Sequence, residues 1–388
     1  MMRDCCIIAM DAITALGAGL DETWGRMLLR ETGIRPMQRF PRGKYATDVA
    51  AEIPDDAAAS GGFDIGDGRS RCYALASGVA ANALSRAGVC AARTGLVLST
   101  TKAEIGELER SVAAGRPLGR GRFLPHRMAR DLAADLQLGG PVAAVSNACA
   151  SGLAALVQAA RMLERGDADA VLVAGADVLA DFTLAGFSCL GALSPRPCRP
   201  YDASRDGLSL GEAAAAMVLV RGDDAAGRAL AAVTGWAITN DANHITSPLC
   251  TGDGLRASIE QALRRARLAP SEIDFVNGHG TGTIQNDEME AQALHSVFGN
   301  RTPPVSSFKG YIGHTLGAAG LVEAALCVRA MQASTVPASL GFSRLGVSGP
   351  INVAADHLDP ARVAHVLTLK CGFGGINAAV ILSMAGHQ

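Results

Sequence analysis

The best candidate for a nucleophile in this sequence is Cys149. It stands in VSNACASGLAAL, residues 145–156, where a predicted strand ends, the chain turns and a helix of small residues begins. Because a helix amino terminus presents free amides and a partial positive charge, we expect the thiolate form to be favoured over the thiol. The alternative for an isolated cysteine is a buried structural role. Because Cys149 stands between a strand and a helix, nucleophilic catalysis and a structural role are equally compatible with the sequence.

A first histidine stands in a loop rich in glycine and threonine. His279 belongs to VNGHGTGT, where glycines flank it and Thr281 and Thr283 supply hydroxyls. A lone histidine is more often a core or surface residue, but these neighbours favour a binding loop. An acidic helix start follows, with Asp287, Glu288 and Glu290.

A second histidine follows a lysine. Lys309 and His314 stand in SSFKGYIGHTLGAAG, residues 306–320. A cation close to a histidine disfavours protonation of the ring, so a neutral imidazole can donate its N–H to a developing oxyanion. A structural role for Lys309 is a salt bridge, for which Glu290 is the natural partner, and the two roles are compatible.

A glycine-rich turn precedes the last predicted strand, in KCGFGGINAAVIL, residues 370–382. The backbone amides of such a turn can bind an anion. The alternative is a plain hairpin turn.

Short strand-like runs alternate with longer helical runs, which predicts an α/β architecture. Many of the runs are continuously apolar, as expected for strands buried on both faces. The predicted strands are Cys6–Met10, Thr94–Leu98, Ala143–Ser146, Ala170–Ala174, Ala215–Val220, Ala229–Trp236, Phe275–Asn277, Val305–Ser306, Ile351–Val353, Val363–Lys370 and Ala378–Ser383.

Two helices, Ser151–Arg165 and Gly317–Ala333, are small and apolar nearly all round, and we expect them to be buried. Each follows a strand and a tight turn, so the chain resembles two related halves. The polar segment Arg221–Arg228 divides them into residues 1–225 and 226–388. Two successive α/β units without duplication are equally compatible with the pattern.

The composition excludes several classes of protein. The 388 residues are 49% apolar and 19% charged, which allows a large core and argues against disorder. The 35 basic residues nearly balance the 37 acidic ones, so nothing favours a nucleic-acid binder. We find no signal peptide and no apolar run of the roughly 18–20 residues that span a bilayer, and we expect a cytoplasmic protein. The ten cysteines form no paired CxxC motifs, so no metal site is predicted.

Taken in order, NACASG, NGHGTGT, KGYIGHTLGAAG and GFGGIN resemble the β-ketoacyl-acyl carrier protein synthases, condensing enzymes of the thiolase superfamily. The segments at residues 198–219 and 7–19 extend the resemblance over nearly the whole chain. It implies a thiolase-like fold, a five-layered αβαβα sandwich made of two pseudo-duplicated halves.

The resemblance implies a role for each matching residue. Cys149 would accept the acyl group, and His279 and His314 would serve decarboxylation and condensation, supported by Lys309. The amides of Cys149 and Phe373 would form the oxyanion hole, and Asp287 and Glu290 would belong to the supporting network. Thr281 and Thr283 would contact the pantetheine arm. Phe373 would also act as a gate, and Phe187 would line the acyl tunnel.

The implied reaction joins an acyl group on Cys149 to malonyl-acyl carrier protein with loss of carbon dioxide, in fatty acid, polyene or polyketide biosynthesis. No bound cofactor is implied, because phosphopantetheine arrives on the carrier protein. The implied partners are an acidic acyl carrier protein and a second subunit, in a homodimer or in a heterodimer with a chain-length-factor-like chain.

Departures from the family pattern surround the acyl entrance. Cys371 stands where the family usually has an aromatic residue, Ile376 replaces a threonine and Ala213 replaces a glycine. These changes leave the acyl chain length open, while the residues of the reaction are retained.

Two other functions remain open. A thiolase shares the fold and uses a second catalytic cysteine on the loop that holds Cys371 here, and release of carbon dioxide from a malonyl thioester separates the two activities. A non-catalytic partner subunit would shape the tunnel of an active chain, but such partners usually lose the nucleophile.

An arginine-rich segment, residues 115–131, is a candidate docking surface for the carrier protein by charge complementarity. A charge run is more often simply a solvated face. The segment contains Arg116, Arg120, Arg122, Arg127 and Arg130.

Reversal of two of these charges tests the docking surface. In the R120E/R122E variant we expect a higher KM for carrier-bound substrate, because an acidic carrier would then be repelled. Steady-state kinetics with the carrier-bound thioester measure this change. Unchanged kinetics would contradict the assignment.

Overall fold

Strands and helices alternate along the chain, as predicted. The computed structural model describes residues 5–63, 70–117 and 123–385. The strands are β1 Cys5–Thr14, β2 Gly17–Ala18, β3 Arg35–Pro36, β4 Val49–Ala50, β5 Thr94–Ser99, β6 Val142–Val145, β7 Ala170–Asp177, β8 Ala213–Arg221, β9 Ala231–Asn240, β10 Phe275–Asn277, β11 Val305–Ser306, β12 His365–Gly372 and β13 Ile376–Ser383. The α-helices are α1 Leu20–Leu28, α2 Asp55–Ser60, α3 Arg71–Ala87, α4 Ile105–Ala113, α5 Pro125–Asp135, α6 Ser151–Arg165, α7 Asp181–Cys189, α8 Asp253–Ala266, α9 Ile284–Phe298, α10 Lys309–Ile312 and α11 Ala319–Ala333.

The strands form two halves that meet at β1 and β9. The order is β11-β10-β12-β13-β9-β1-β8-β7-β5-β6, and β1 pairs with β9 over Cys5–Ile7. Within the first half β6, β5 and β7 are parallel, and within the second half β11, β10 and β12 are parallel. Because parallel strands end at the same edge, the loops after β10, β11 and β12 lie side by side.

Helices α6 and α11 lie between the two halves and contact strands of both. Helices α3 and α5 cover the outer face of the first half, and α8 and α9 cover that of the second. This arrangement is the predicted five-layered αβαβα sandwich. The two central helices are buried around most of their circumference, as predicted from their lack of a polar stripe.

The central helices cross at a pair of glycines. A Cβ atom built on Gly152 of α6 would lie only 2.6 Å from the backbone nitrogen of Leu321 in α11. A Cβ atom on Gly320 would likewise collide with the backbone nitrogen of Leu153. The two helix backbones therefore approach more closely than any side chain at these positions would allow.

Two expectations from the sequence were wrong. Residues 351–353 form no strand, and only Val353 makes an isolated bridge, to Val305. The stretch Leu316–Ala333 is long and apolar enough, by length and composition, to cross a membrane, although no such run was expected. It is 83% buried in the protein interior, where it forms the central helix α11.

The glycine crossing predicts a stability difference between two Gly→Ala substitutions. We expect G152A to lose roughly 1–3 kcal/mol of unfolding free energy, because its Cβ has no room against the α11 backbone. Gly186 of α7 has no atom within 4 Å of its Cβ position, so G186A should gain about 0.5–1 kcal/mol. Denaturant unfolding of both variants measures the difference, and equal stabilities would contradict the close crossing.

Candidate active site

The turn that carries Cys149 joins β6 to α6 and is held by a serine. The N–H of Asn147 donates to Ser151 Oγ at 2.8 Å, and that hydroxyl donates to the Ala148 carbonyl at 2.6 Å. Ala148 adopts a left-handed conformation with φ 48°, which non-glycine residues seldom adopt. Cys149, which is 6% exposed, lines a cavity at this junction.

His314 contacts the Cys149 thiol. Its Nε2 lies 3.0 Å from Sγ, while the N–H of Leu316 donates to its Nδ1 at 3.3 Å. Because a backbone N–H is always a donor, Nδ1 carries no proton, and the neutral ring bears its proton on Nε2. His314 therefore presents an N–H donor to the sulfur.

His279 completes the group. Its ring stands edge-on to that of His314, with centroids 5.3 Å apart and an interplanar angle of 84°. A nitrogen of each ring and Cys149 Sγ lie within 4.8 Å of one another. Such sulfur and nitrogen atoms also suit a transition metal. The positive charge of Lys309, which acts on Cys149 and both rings, opposes a cation and favours an anion instead.

Two buried carboxylates hold the backbone of the His279 loop. Glu290 accepts the N–H groups of His279 and Gly280 at 2.5 and 2.7 Å, and Asp287 accepts that of Thr281 at 3.0 Å. Burial raises the pKa of both carboxyl groups, and the bonds from the loop amides oppose that change. These acids orient the loop that presents the first histidine.

Lys309 binds Glu323 and not Glu290, so the predicted ion pair was wrong. Its Nζ lies 2.9 Å from Glu323 Oε1, and Lys370 Nζ lies 3.0 Å from Oε2 of the same carboxylate. Lys370 also donates to Asn277 Oδ1 at 3.0 Å. Burial alone would raise the pKa of Glu323, but the two ammonium groups hold it below its usual range. Burial lowers the pKa of Lys370, and Glu323 opposes that change.

Neither Glu323 nor Lys370 was identified from the sequence. Each is a lone charged residue in an apolar run, GLVEAAL for the acid and HVLTLKC for the lysine. Their isolation among apolar residues could have identified them, because a charge at a buried position requires a partner.

Burial determines the protonation states in the site. It lowers the pKa of His279 and of His314 well below the usual range, and Lys309 lowers both further, so the rings are neutral. Burial also raises the pKa of Cys149 to about 11, although the Lys309 charge lowers it. The predicted preference for the thiolate was therefore wrong for the free protein, and Cys149 rests as a thiol.

Two backbone amides face the Cys149 sulfur. The N–H groups of Phe373 and of Cys149 itself act on the thiol and lower its pKa, which favours the ionised form. The turn after β12 brings the first amide close, because a Cβ on Gly372 would lie only 3.1 Å from the Cys149 nitrogen. The amides assigned to the oxyanion hole are therefore together at the nucleophile.

The predicted substrate-binding residues line the same cavity, of 480 Å³. The rings of Phe187 and Phe373 stack, with centroids 5.6 Å apart and planes inclined by 26°. The hydroxyls of Thr281 and Thr283 lie 2.9 Å apart in a mutual hydrogen bond. Cys371 also lines the cavity, and burial raises its pKa well above the usual range.

The arginine-rich docking segment is described only in part. Arg120 and Arg122 lie outside the described residues. Arg116, Arg127 and Arg130 are exposed, so their charges are available at the surface.

The chain matches known proteins over most of its length. The family models described as "Beta-ketoacyl synthase, N-terminal domain" and "Beta-ketoacyl synthase, C-terminal domain" match residues 2–225 and 230–343. The chain is 31% identical to 3-oxoacyl-acyl-carrier-protein synthase 2 of Rhizobium meliloti (strain 1021) over 100% of both chains. It is 30% identical to the tetracenomycin polyketide synthase ketoacyl synthase alpha subunit of Streptomyces glaucescens, over 95% of this chain and 94% of that one.

Solved structures agree with these relatives. The ishigamide ketosynthase/chain length factor matches over 100% of both chains, with a TM-score of 0.91 and 28% identity. A beta-ketoacyl synthase from Burkholderia phymatum STM815 matches over 99% of this chain and 100% of that one, with a TM-score of 0.87 and 28% identity.

The resting thiol predicts a steep pH dependence of Cys149 alkylation. Because its pKa is about 11, the thiolate fraction should rise about tenfold per pH unit between roughly pH 7 and 9. Iodoacetamide labelling followed by peptide mass spectrometry measures the rate at Cys149. The exposed Cys250 reports reagent consumption in the same sample. A rate at Cys149 independent of pH in this range would indicate a preformed thiolate.

Proposed function

This chain belongs to the beta-ketoacyl synthase family, and we propose that it condenses an acyl group held on Cys149 with a malonyl thioester on an acyl carrier protein. It is a condensing enzyme of the acyltransferase type. The observation that carries the assignment is the convergence of the Cys149 sulfur, two neutral imidazoles and two backbone amides in one buried cavity.

The first half of the reaction moves the acyl group onto the enzyme. The Cys149 sulfur attacks the acyl thioester, and the amides of Cys149 and Phe373 stabilise the oxyanion that forms on its carbonyl. The new carbon–sulfur bond replaces the bond to pantetheine, and the Cys149 proton leaves with the pantetheine thiol. Two amide donors already directed at the sulfur suit this step.

The second half forms the carbon–carbon bond. The neutral rings of His279 and His314 donate hydrogen bonds to the thioester oxygen of the malonyl group. Loss of carbon dioxide then leaves an enolate on that oxygen. The enolate carbon attacks the acyl-Cys149 carbonyl, the carbon–sulfur bond breaks, and the products are a β-ketoacyl thioester and the Cys149 thiolate. The Nε2–H of His314 can stabilise that thiolate at 3.0 Å.

The phosphopantetheine arm belongs to the substrate and would run along Thr281 and Thr283 toward Cys149. The stacked rings of Phe187 and Phe373 border the cavity and would control entrance of the acyl chain. The exposed Arg116, together with its neighbouring arginines, would dock the acidic carrier protein. No cofactor beyond that arm is needed by the proposed steps. A reducing compartment such as the cytoplasm suits an enzyme that needs a free thiol.

A second subunit would pair along β6. Among the described strands β6 pairs with β5 alone, so its other edge has no partner strand there, and Val142 is 39% exposed. Such an edge presents unpaired backbone N–H and C=O groups with which another chain can pair. This chain is similar to a ketosynthase that was solved in complex with its chain length factor, from Xenorhabdus doucetiae. The identity is 28% and the TM-score 0.83, over 99% of this chain and 98% of that one. We therefore propose either a homodimer or such a heterodimer.

The thiolase alternative rests on Cys371. Burial raises the pKa of its thiol well above the usual range, with Glu290 and Asp241 adding to the rise, so it is poorly placed to lose a proton. A non-catalytic partner subunit would have no use for the buried histidines and lysines. Decarboxylative condensation is therefore the function that the site supports best.

Acyl loading tests the proposed function. After incubation with a panel of acyl-carrier thioesters, intact mass spectrometry should show one acyl adduct on the parent protein and none on C149A. The matched variant C371A should still load and should release carbon dioxide from malonyl thioester. Persistent loading of C149A would show that another cysteine is the nucleophile. Loading without carbon dioxide release would support the thiolase alternative.

A further inference from the structure

Lysine is rare in this chain and is concentrated at the site. Four lysines occur in the sequence, against a total of 35 basic residues. Lys309 and Lys370 are fully buried and bind opposite oxygens of Glu323, which is also fully buried. Glu323 therefore neutralises only one of the two lysines.

The position of Lys370 links it to the segments that carry the site. It stands three residues before Phe373, whose amide faces the Cys149 sulfur. Its Nζ donates to Asn277 Oδ1 at 3.0 Å and to the Leu369 carbonyl at 2.7 Å. Asn277 in turn stands two residues before His279.

In the described part of the chain, no acid other than Glu323 forms an ion pair with Lys309 or Lys370. Lys102 lies 3.1 Å from Asp177, so these two charges offset each other. Glu290 is bound by the amides of the His279 loop and by the hydroxyl of Tyr201 at 2.9 Å. Two ammonium groups against the single Glu323 carboxylate give this three-residue cluster one net positive charge.

We propose that Lys370 is a positioning residue for the condensation: together with Lys309 and Glu323 it forms a buried cluster with one net positive charge that stabilises the anions formed at Cys149 and at the thioester oxygens. The proposal rests on the function proposed above. Lys370 acts without touching the substrate. The thiolate, the tetrahedral oxyanion and the enolate each carry one negative charge, and each forms at the buried side chains of Cys149 and the two histidines, where a nearby positive charge stabilises an anion more than it would in water.

The charge and the structural role of Lys370 can be separated by compensating variants. K370M removes the surplus, because Glu323 then pairs with Lys309 alone. K370M/E323Q restores it, because Lys309 is then unopposed. K370R keeps the charge with a different shape. A role limited to holding Glu323 predicts that the double variant is no better than K370M.

The first readout is independent of the proposed activity. The rate of iodoacetamide labelling at Cys149, measured at about pH 8, should fall roughly tenfold in K370M, because a nearby cation shifts a titrating group by about one unit. The rate should return to near the parent value in K370M/E323Q and in K370R. E323Q should label faster than K370M/E323Q, because only the single variant keeps the Lys370 charge, and this comparison still tests the proposal if K370M fails to fold.

The second readout is carbon dioxide release from malonyl-carrier thioester. In K370M, kcat should fall by at least roughly tenfold with little change in KM, because the surplus charge acts on anions formed during the reaction. Unchanged labelling in K370M, or no recovery in the double variant, would overturn the role of Lys370. Absence of carbon dioxide release from the parent would overturn the proposed function instead, while the labelling result would still decide the role of Lys370.

Discussion

The buried contact of Glu323 with two lysines is the interaction on which the rest of the site depends. Each charge lies on a different segment: Lys309 follows β11, Lys370 lies in β12 and Glu323 lies in the central helix α11. Charges buried in this way are strongly destabilising unless they are paired, and removal of one partner typically costs about 3–5 kcal/mol. The carboxylate therefore requires both segments to stay in place. Asn277 accepts a hydrogen bond from Lys370, so the strand that leads to His279 belongs to the same cluster.

Burial has opposite effects on the two reacting groups. It keeps His279 and His314 neutral, so that each ring donates through one N–H only, and it raises the pKa of Cys149, which disfavours the nucleophilic thiolate. The two effects have one cause, the exclusion of water. In such a cavity a fixed donor or cation stabilises an anion more than it would in water. The site therefore stabilises negative charge when the reaction creates it, while Cys149 and the two histidines are themselves neutral at rest.

The sequence predicted the residues of the site better than their partners. Cys149 and His279 were found because each stands in a turn after a strand, and His314 because it precedes the second buried helix. The strands on the histidine side end at one edge of a parallel sheet. The partner of Lys309 was missed because an ion pair is a tertiary contact. Glu290 was the acid closest to a histidine in sequence, yet it binds the His279 loop. Likewise, the amino terminus of α6 suggested a thiolate, but burial of Cys149 depends on the whole fold.

The small residues of the central helices account for the geometry at Cys149. Gly152 stands three residues after the nucleophile, and Gly320 stands six residues after His314. Because these glycines let α6 and α11 meet backbone to backbone, the turns just before the two helices are brought together. The 3.0 Å contact between the thiol and Nε2 of His314 is made between those two turns. A helix pair separated by ordinary side chains would lie roughly 8–10 Å apart and would move the histidine away from the sulfur. The abundance of glycine and alanine in these helices is therefore a requirement of the catalytic geometry as much as of the core.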